Sequence, residues 1–332
     1  MSQSSDTISI VIPLFNEREN IADLVKRLTE TMQSADRTES AGLNYELILV
    51  DDGSTDGSME LLAKLQVQQP NIKVIELRRN FGQTAALAAG FDHARGNIIV
   101  PLDGDLQNDP ADIPRLIEKL NEGYDVVSGW RRKRKDKLFT RKIPSWIANK
   151  VIGFFTGVKL HDYGCTLKAY RREVVEHVNL YGEMHRFIPA IASWAGAKVT
   201  ELEVIHHPRT RGKTKYGLSR TIKVIFDLIT VKFLGTFSTR PLHVFGWIGV
   251  LTFLLSCLSG GYVVYRKWFV EPPLGINRNP LFYLTSMLVP MSIMFILMGL
   301  LAEMQCRTYH ESQNKPTYVV RKILEPTDKH KE

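Results

Sequence analysis

The chain has 332 residues, 44% of them hydrophobic, which is enough for one large or two ordinary domains. A net charge of +8 and a sequence pI near 9.3 favour an anionic partner such as nucleic acid, phospholipid or a phosphorylated small molecule. Its three cysteines, Cys165, Cys257 and Cys306, are too few and too scattered for a disulfide framework or a zinc site, and they point to a reducing compartment.

The N-terminus, "MSQSSDTISIVIP", has no basic start and no apolar signal core, so no cleaved targeting segment is expected. Residues 8–15, "ISIVIPLF", read as a buried strand. Helical spacing follows at Ile21, Leu24, Val25 and Leu28, with Asn16 a candidate cap. "YELILV" (45–50) is the second strand, and a polar turn leads to a helix starting near Asp56 or Gly57. "NIKVIEL" (71–77) is the third, followed by a small-residue helix over Thr84–Ala94. "NIIVPL" (97–102) is the fourth, with a helix from about Pro110 that Asp109 caps, and "DVVSGW" (125–130) is the fifth. Apolar strands alternating with helices predict an α/β fold, a mostly parallel sheet covered on both faces. Ligands of such sheets bind at the carboxyl ends of the strands.

Those ends carry Pro13, Asn16 and Glu17 after the first strand, Asp51 and Asp52 after the second, and Asp103 and Asp105 after the fourth. No G-x-G-x-x-G and no Walker-type glycine loop follows any strand, which disfavours dinucleotide-binding and P-loop enzymes. Aspartates at i and i+2 can ligate one hard cation where the backbone bends, and Gly104 permits the bend. Oxygen ligands with no local Cys or His select Mg²⁺ or Mn²⁺, ions that keep positions open for substrate phosphates. By itself the D-x-D pair fits a solvated turn equally well.

"VIPLFNEREN", "VDDGSTDGS", "RRNFGQTAA" and "DGDLQNDP" occur in this order over residues 11–110. Together they resemble the inverting GT-A glycosyltransferases of family 2. More narrowly, they resemble the polyprenyl-phosphate glycosyltransferases of the dolichol-phosphate mannose synthase and bactoprenol glucosyltransferase type. The resemblance covers roughly residues 8–235. It implies that Pro13, Asn16 and Glu17 line a nucleotide pocket, with Asp52 at the base or ribose and Gln83 also facing the nucleotide. Asp103 and Asp105 would hold the donor diphosphate through the metal, with Gln107 at the third metal position. Asp51 ranks behind Asp52, as a support for the loop.

Residues 131–142, "RRKRKDKLFTRK", carry eight Lys or Arg against one Asp and follow the fifth strand at the same sheet edge. Arg131 is the best placed, and the resemblance implies that it contacts an acceptor phosphate. Asp162, in "DYGCTLKAYRR", falls where the family keeps an acidic acceptor-side residue that orients the acceptor. "RGKTKYG" resembles the family's R-x-x-G-x-[ST]-K-[YW] segment, which makes Arg211 and Lys215 candidates for gripping phosphate. Arg186, in "GEMHRF", is a candidate phosphate contact or a structural ion-pair partner. That segment departs from the Q-x-x-R-W of processive synthases at Glu183 and Phe187, and polymer synthesis is not expected.

Residues 242–265 and 281–302 contain no Asp, Glu, Lys or Arg, and each is long enough to cross a bilayer. Basic residues cluster before the first segment and after the second, whereas the loop 266–280 holds only Arg266, Lys267 and Arg278. The positive-inside rule then places the catalytic part (1–235), both termini and the tail (303–332) in the cytoplasm, at a bacterial inner membrane. Residues 138–155 and 218–234 read as basic amphipathic helices lying at the membrane surface. Nucleic acid is not expected as a partner, because the spans commit the basic surface to a membrane. The strand-like "TYVVRKIL" of the tail is a candidate for pairing with another copy in a homo-oligomer.

The expected activity is inverting transfer of one hexose from a nucleotide diphosphate sugar to a polyprenyl (undecaprenyl) phosphate. The two-span arrangement resembles the bactoprenol glucosyl type, which implies UDP-glucose, with GDP-mannose as the runner-up. A membrane-anchored nucleotide-sugar sensor that binds without transfer is the rival class.

Overall fold

The computed structural model describes residues 7–36, 44–132, 149, 152–153, 156–176, 178, 180, 184–208, 241–269, 279–312 and 317–325. The expected surface helix at 218–234 and nearly all of that at 138–155 lie outside these residues. The chain divides into two compact units, one of residues 1–231 with 316–332 and one of residues 232–315.

The first unit is built on strands β1 (Ile8–Leu14), β2 (Tyr45–Asp51), β3 (Ile72–Leu77), β4 (Ile98–Pro101), β5 (Val126–Trp130), β6 (Lys168–Arg171), β7 (Val199–Glu203) and β8 (Val320–Leu324). They form one sheet in the order β7-β5-β6-β4-β1-β2-β3-β8. Four pairings are parallel and three antiparallel, the latter all made by β6 or β8. The helices are α1 (Arg18–Asp36), α2 (Ser58–Gln68), α3 (Gln83–Asp92), α4 (Ile113–Asn121), α5 (Arg172–Glu176) and α6 (Ile188–Trp194). A 3₁₀ turn at Pro110–Asp112 precedes α4 and another at Met184–Arg186 precedes α6.

Alternation along the central strands sends side chains to both faces. Ile8, Ile10, Ile12 and Leu14 pack with Leu24 and Leu28 of α1 and Leu116 and Leu120 of α4. On the other face α3 lies so close that a Cβ on Gly90 would stand 2.2 Å from Val11 Cγ1. This contact explains the small residues of "TAALAAG": larger ones would hold the helix off the sheet. The sheet therefore lines up the carboxyl ends of β1, β2 and β4, where the acidic residues follow.

The tail returns to this sheet. β8 pairs antiparallel with β3, with Val74 opposite Leu324 and Glu76 opposite Lys322. The expected pairing with another copy is thus replaced by pairing within the chain. Lys73, buried in β3, bonds Glu325 at 3.1 Å, Arg321 reaches Glu76 at 2.9 Å, and the Tyr318 hydroxyl donates to Asp92 at 2.7 Å. A chain ending at Lys315 loses the carboxylate paired with a buried lysine, which keeps only the His93 carbonyl at 3.0 Å, and the partner of a whole strand edge. It is expected to be destabilised by about 3 kcal/mol, measurable by thermal unfolding in detergent. Unfolding unchanged from the parent would show the strand to be dispensable.

The second unit contains α7 (Pro241–Trp268) and α8 (Pro280–Ser312). Within them, Phe245–Trp268 and Pro280–Ala302 are long and apolar enough to cross a membrane, with mean hydropathies of 1.8 and 2.1. Little of either is covered by protein: Trp247, Leu251, Leu258, Met287 and Met294 are all exposed. The two helices meet through small and hydroxyl residues. A Cβ on Gly249 would fall 2.7 Å from Ile296 Cγ1, and Ser259 Oγ lies 2.8 Å from Thr285 Oγ1. Helix α8 runs ten residues past the apolar segment's end at Ala302, through polar residues that suit a helix outside hydrocarbon.

Candidate active site

The loop after β1 is tied to the loop after β2. Asn16 takes a left-handed conformation (φ 52°), its amide N–H donates to Ser54 Oγ at 2.9 Å, and its side-chain oxygen accepts from Thr55 N at 2.8 Å. Asn16 therefore bridges two loops rather than capping α1, and α1 begins instead with Arg18 N donating to Asp56 at 3.0 Å. Glu17 accepts from the Asn20 side chain at 2.7 Å, and Pro13 lies one residue before the end of β1.

The aspartates after β2 divide their work. Asp52 accepts from the backbone N–H groups of Phe81 (2.7 Å) and Gly82 (2.9 Å). Both its oxygens thus hold the loop that delivers Gln83. Burial raises its pKa, and these two hydrogen bonds oppose the rise. Asp51 accepts from Ser54 N at 3.2 Å, a supporting contact within its own loop. Gly53 (φ 70°) is needed between them and the next loop, since a Cβ there would lie 2.6 Å from the Arg79 carbonyl carbon.

Gln83, the first residue of α3, donates from Nε2 to Asp103 Oδ1 at 2.8 Å, and the Thr166 hydroxyl also bonds Asp103. Asp105 accepts from Gln107 N at 3.1 Å. The turn differs from expectation in how it bends: Leu106, at φ 59°, supplies the left-handed step. Gly104 is required for another reason, because its missing Cβ would stand 2.4 Å from Leu14 Cδ2. Burial and the charge of Asp105 push the Asp103 pKa up to about 6, against the pull of Thr166, Arg131 and Lys168. A carboxylate held up by burial and by a second acid two residues away suits a hard divalent cation. Among the described residues no third His, Cys, Asp or Glu joins them, so further ligands would be the Gln107 amide, water and substrate oxygens.

Arg131 and Asp162 form one buried pair. Arg131 Nε and Nη2 donate to the two oxygens of Asp162 at 2.7 and 3.0 Å, and Gly164 N adds a bond at 3.1 Å. Burial works against the Arg131 charge, but the charge and hydrogen bonds of Asp162 together with the charges of Cys165 and Asp103 outweigh it and hold the guanidinium protonated. Arg131 also feels the charge of Asp103, which places the pair within electrostatic reach of the acidic turn.

Arg186 sits beside a recess that Tyr163, Thr166, Lys168 and His185 also line. His185, which the sequence did not single out, shares a 2.7 Å hydrogen bond with Thr84 Oγ1 and is kept neutral by burial. Thr166 and Lys168 were likewise not legible as site residues. The one signal available was a lysine inside a short apolar run, "TLKAY".

Arg211 and Lys215 lie outside the described residues. The chain leading to them runs along the acidic turn: Ile205 N donates to Asp112 at 2.6 Å, His206 bridges Asn108, and His207 N donates to the Gln107 carbonyl at 2.8 Å. His207 Nε2 lies 2.8 Å from Asp109, whose other oxygen caps the 3₁₀ turn through Ala111 N at 3.0 Å.

Residues 9–178 match the family described as Glycosyl transferase family 2. The chain is 44% identical over 322 residues to a dodecaprenyl-phosphate galacturonate synthase of Rhizobium johnstonii, covering 96% of this chain and 93% of that one. It is 37% identical to an undecaprenyl-phosphate 4-deoxy-4-formamido-L-arabinose transferase of Shewanella sediminis, over 97% of this chain and 94% of that one. In fold it is similar to glucosyl-3-phosphoglycerate synthase of Mycobacterium tuberculosis, solved with Mn²⁺ and UDP-glucose. The TM-score is 0.52 at 19% identity, over 69% of this chain and 80% of that one.

Proposed function

The chain belongs to glycosyl transferase family 2, and from that premise we propose that it transfers one sugar from a nucleoside diphosphate donor to a polyprenyl phosphate at the cytoplasmic face of a membrane. The observation that carries this reading is that the buried Arg131–Asp162 pair lies within electrostatic reach of the Asp103–Asp105 turn. The turn suits a diphosphate leaving group and the pair an acceptor phosphate.

In this reading Pro13, Asn16, Glu17 and Asp52 frame the nucleotide pocket, and Gln83 orients Asp103. A divalent cation, Mg²⁺ or Mn²⁺, held by Asp103 and Asp105 with Gln107 third, supplies charge neutralisation at the departing diphosphate. Arg131, Arg211 and Lys215 position the acceptor phosphate, with Arg186 at the edge of the same region. A phosphate oxygen forms the bond to the anomeric carbon as the bond to the diphosphate breaks, and the configuration inverts. A phosphate monoester with a second pKa of about 6 is already largely dianionic at neutral pH, so no proton need be removed. Asp162 accordingly orients Arg131 and the acceptor and is no obligatory base.

Glucose gives way as the first choice of sugar. Both extended relatives carry the names of other sugars, and we infer a galacturonate-type donor from the stronger of the two likenesses. The membrane topology has two supports. Basic residues flank the outer ends of the two apolar helices. In addition β8, which follows the second helix in sequence, pairs with β3, which precedes the first, and two crossings return a chain to the side it left.

Purified protein with Mn²⁺, undecaprenyl phosphate and labelled UDP-galacturonate is expected to form labelled lipid at least tenfold faster than with UDP-glucose or GDP-mannose. Faster labelling from UDP-glucose would restore the glucose assignment. Donor binding without labelled lipid from any of the three would overturn transfer in favour of the sensor.

A further inference from the structure

We propose that Lys168 is a positioning residue for sugar transfer: from inside the sheet it fixes the 162–167 loop, and so sets the acceptor-side pair in register with the donor carboxylates. The inference rests on the functional reading above for what the register is for, and on the geometry alone for the register itself.

Lys168 is the first residue of β6 and only 2% exposed. Leu167 and Ala169, its neighbours, belong to the main apolar core, so alternation turns Lys168 to the opposite face with Tyr170. There its ammonium donates to the backbone carbonyls of Cys165 and, at 3.4 Å, of Tyr163. The loop needs such a donor. Its turn directs the Tyr163 and Cys165 carbonyls toward Lys168, and a buried carbonyl must find a partner. An apolar side chain at this position would leave both without one.

Tyr163 ties the loop to the Val158 carbonyl, to which its hydroxyl donates at 2.6 Å, and the remaining anchors lead toward the reaction centre. Asp162, at its start, holds Arg131. Cys165 Sγ lies 3.8 Å from Asn108 Oδ1, one residue beyond Gln107. Thr166 bonds Asp103. On the sheet side the loop presses on Gly129, where a Cβ would meet the Leu167 carbonyl oxygen at 2.6 Å, two residues before Arg131. A shift of the loop therefore moves the acceptor cation and the donor carboxylate relative to each other, and displacements near 1 Å cost about 10²-fold in rate where reacting groups must align. Burial draws the Lys168 pKa down to about 8, against the pull of Cys165, Asp162 and Asp103, so the ammonium is still charged at neutral pH.

The test compares full-length Lys168→Met and Lys168→Arg with the parent in detergent, by steady-state kinetics, UDP binding with Mn²⁺, and amide hydrogen exchange. In Lys168→Met, kcat is expected to fall at least 30-fold while donor KM and UDP affinity stay within threefold. Exchange at residues 163–167 should rise at least tenfold with the rest of the sheet unchanged. Lys168→Arg, which keeps the buried cation and its donors, should recover kcat to within fivefold of the parent. The exchange measurement needs no turnover, so it tests the register even if the parent transfers nothing to lipid. Unchanged exchange in the loop, a kcat within threefold of the parent, or no rescue by arginine would each overturn the proposal. Should Lys168→Met not fold, Lys168→Gln is judged by the same criteria.

Discussion

Asp105→Ala is expected to lower transfer to polyprenyl phosphate by about 10³-fold or more, because it halves the carboxylate pair that would hold the cation at the leaving diphosphate. Asp103→Asn should be as inactive, and it adds a stability signature that separates charge from chemistry. Asp103 is pushed up to about 6 in the folded chain, from an ordinary value of 3.8, by burial and Asp105. Between those two pH values the folded state binds the extra proton. Stability therefore falls as pH rises from about 4 through 6, and the penalty is fully present above that range. Asparagine keeps an acceptor for Gln83 and carries no charge. The metal-free variant should accordingly unfold at a higher temperature than the parent at pH 7.5, with the difference vanishing near pH 4. Mn²⁺ should stabilise the parent and leave the variant unmoved. Undiminished turnover in Asp105→Ala would remove the metal assignment, and a flat pH response in Asp103→Asn would remove the repulsion argument.

Arg131→Met should have the second large effect, on stability as well as on activity. It takes the paired cation from Asp162, whose side chain is 10% exposed, and leaves the Gly164 N–H among its hydrogen-bond donors. Breaking a buried pair from one side typically costs about 3–5 kcal/mol. Replacing both members, Arg131→Met with Asp162→Leu, leaves no buried charge and should return to within about 1–2 kcal/mol of the parent in a urea titration followed by tryptophan fluorescence. Neither protein should transfer sugar at more than about one hundredth of the parental rate, since the acceptor phosphate loses the guanidinium placed to meet it. A refolded double variant that still transfers would reduce the pair to a structural strut.

The first five strands were legible because parallel strands buried on both faces are nearly continuous apolar runs, as in "ISIVIPL" and "LILV". β6 and β7 carried no such mark. β6 is four residues long with Lys168 and Arg171 at its ends, and β7, "VTELE", is a half-buried edge. Both become strands through their neighbours, β5 above all, and local sequence holds no record of that. At the site, the spacing of Asp103 and Asp105 and the order of the strand-end motifs identified the acidic turn. Arg131 and Asp162 were each named, but their pairing across 31 residues was not visible. Gln83 and Asp52 were named for the nucleotide from their motifs, and the bonds by which they hold Asp103 and the loop before Gln83 were not visible there.

By itself, then, the sequence determined the alternating α/β plan, the acidic turn after the fourth strand, the basic segments and the two apolar helices. All of these are carried by residue type and spacing within a short stretch of chain. Tertiary structure alone decided that the tail strand closes on β3 of its own chain, that Arg131 and Asp162 neutralise each other, and that this pair comes within electrostatic reach of Asp103. Those outcomes depend on which distant groups share a buried, weakly screened volume. There a hydrogen bond or charge pair must be satisfied by whatever the fold brings near, and no local pattern records which residue that will be.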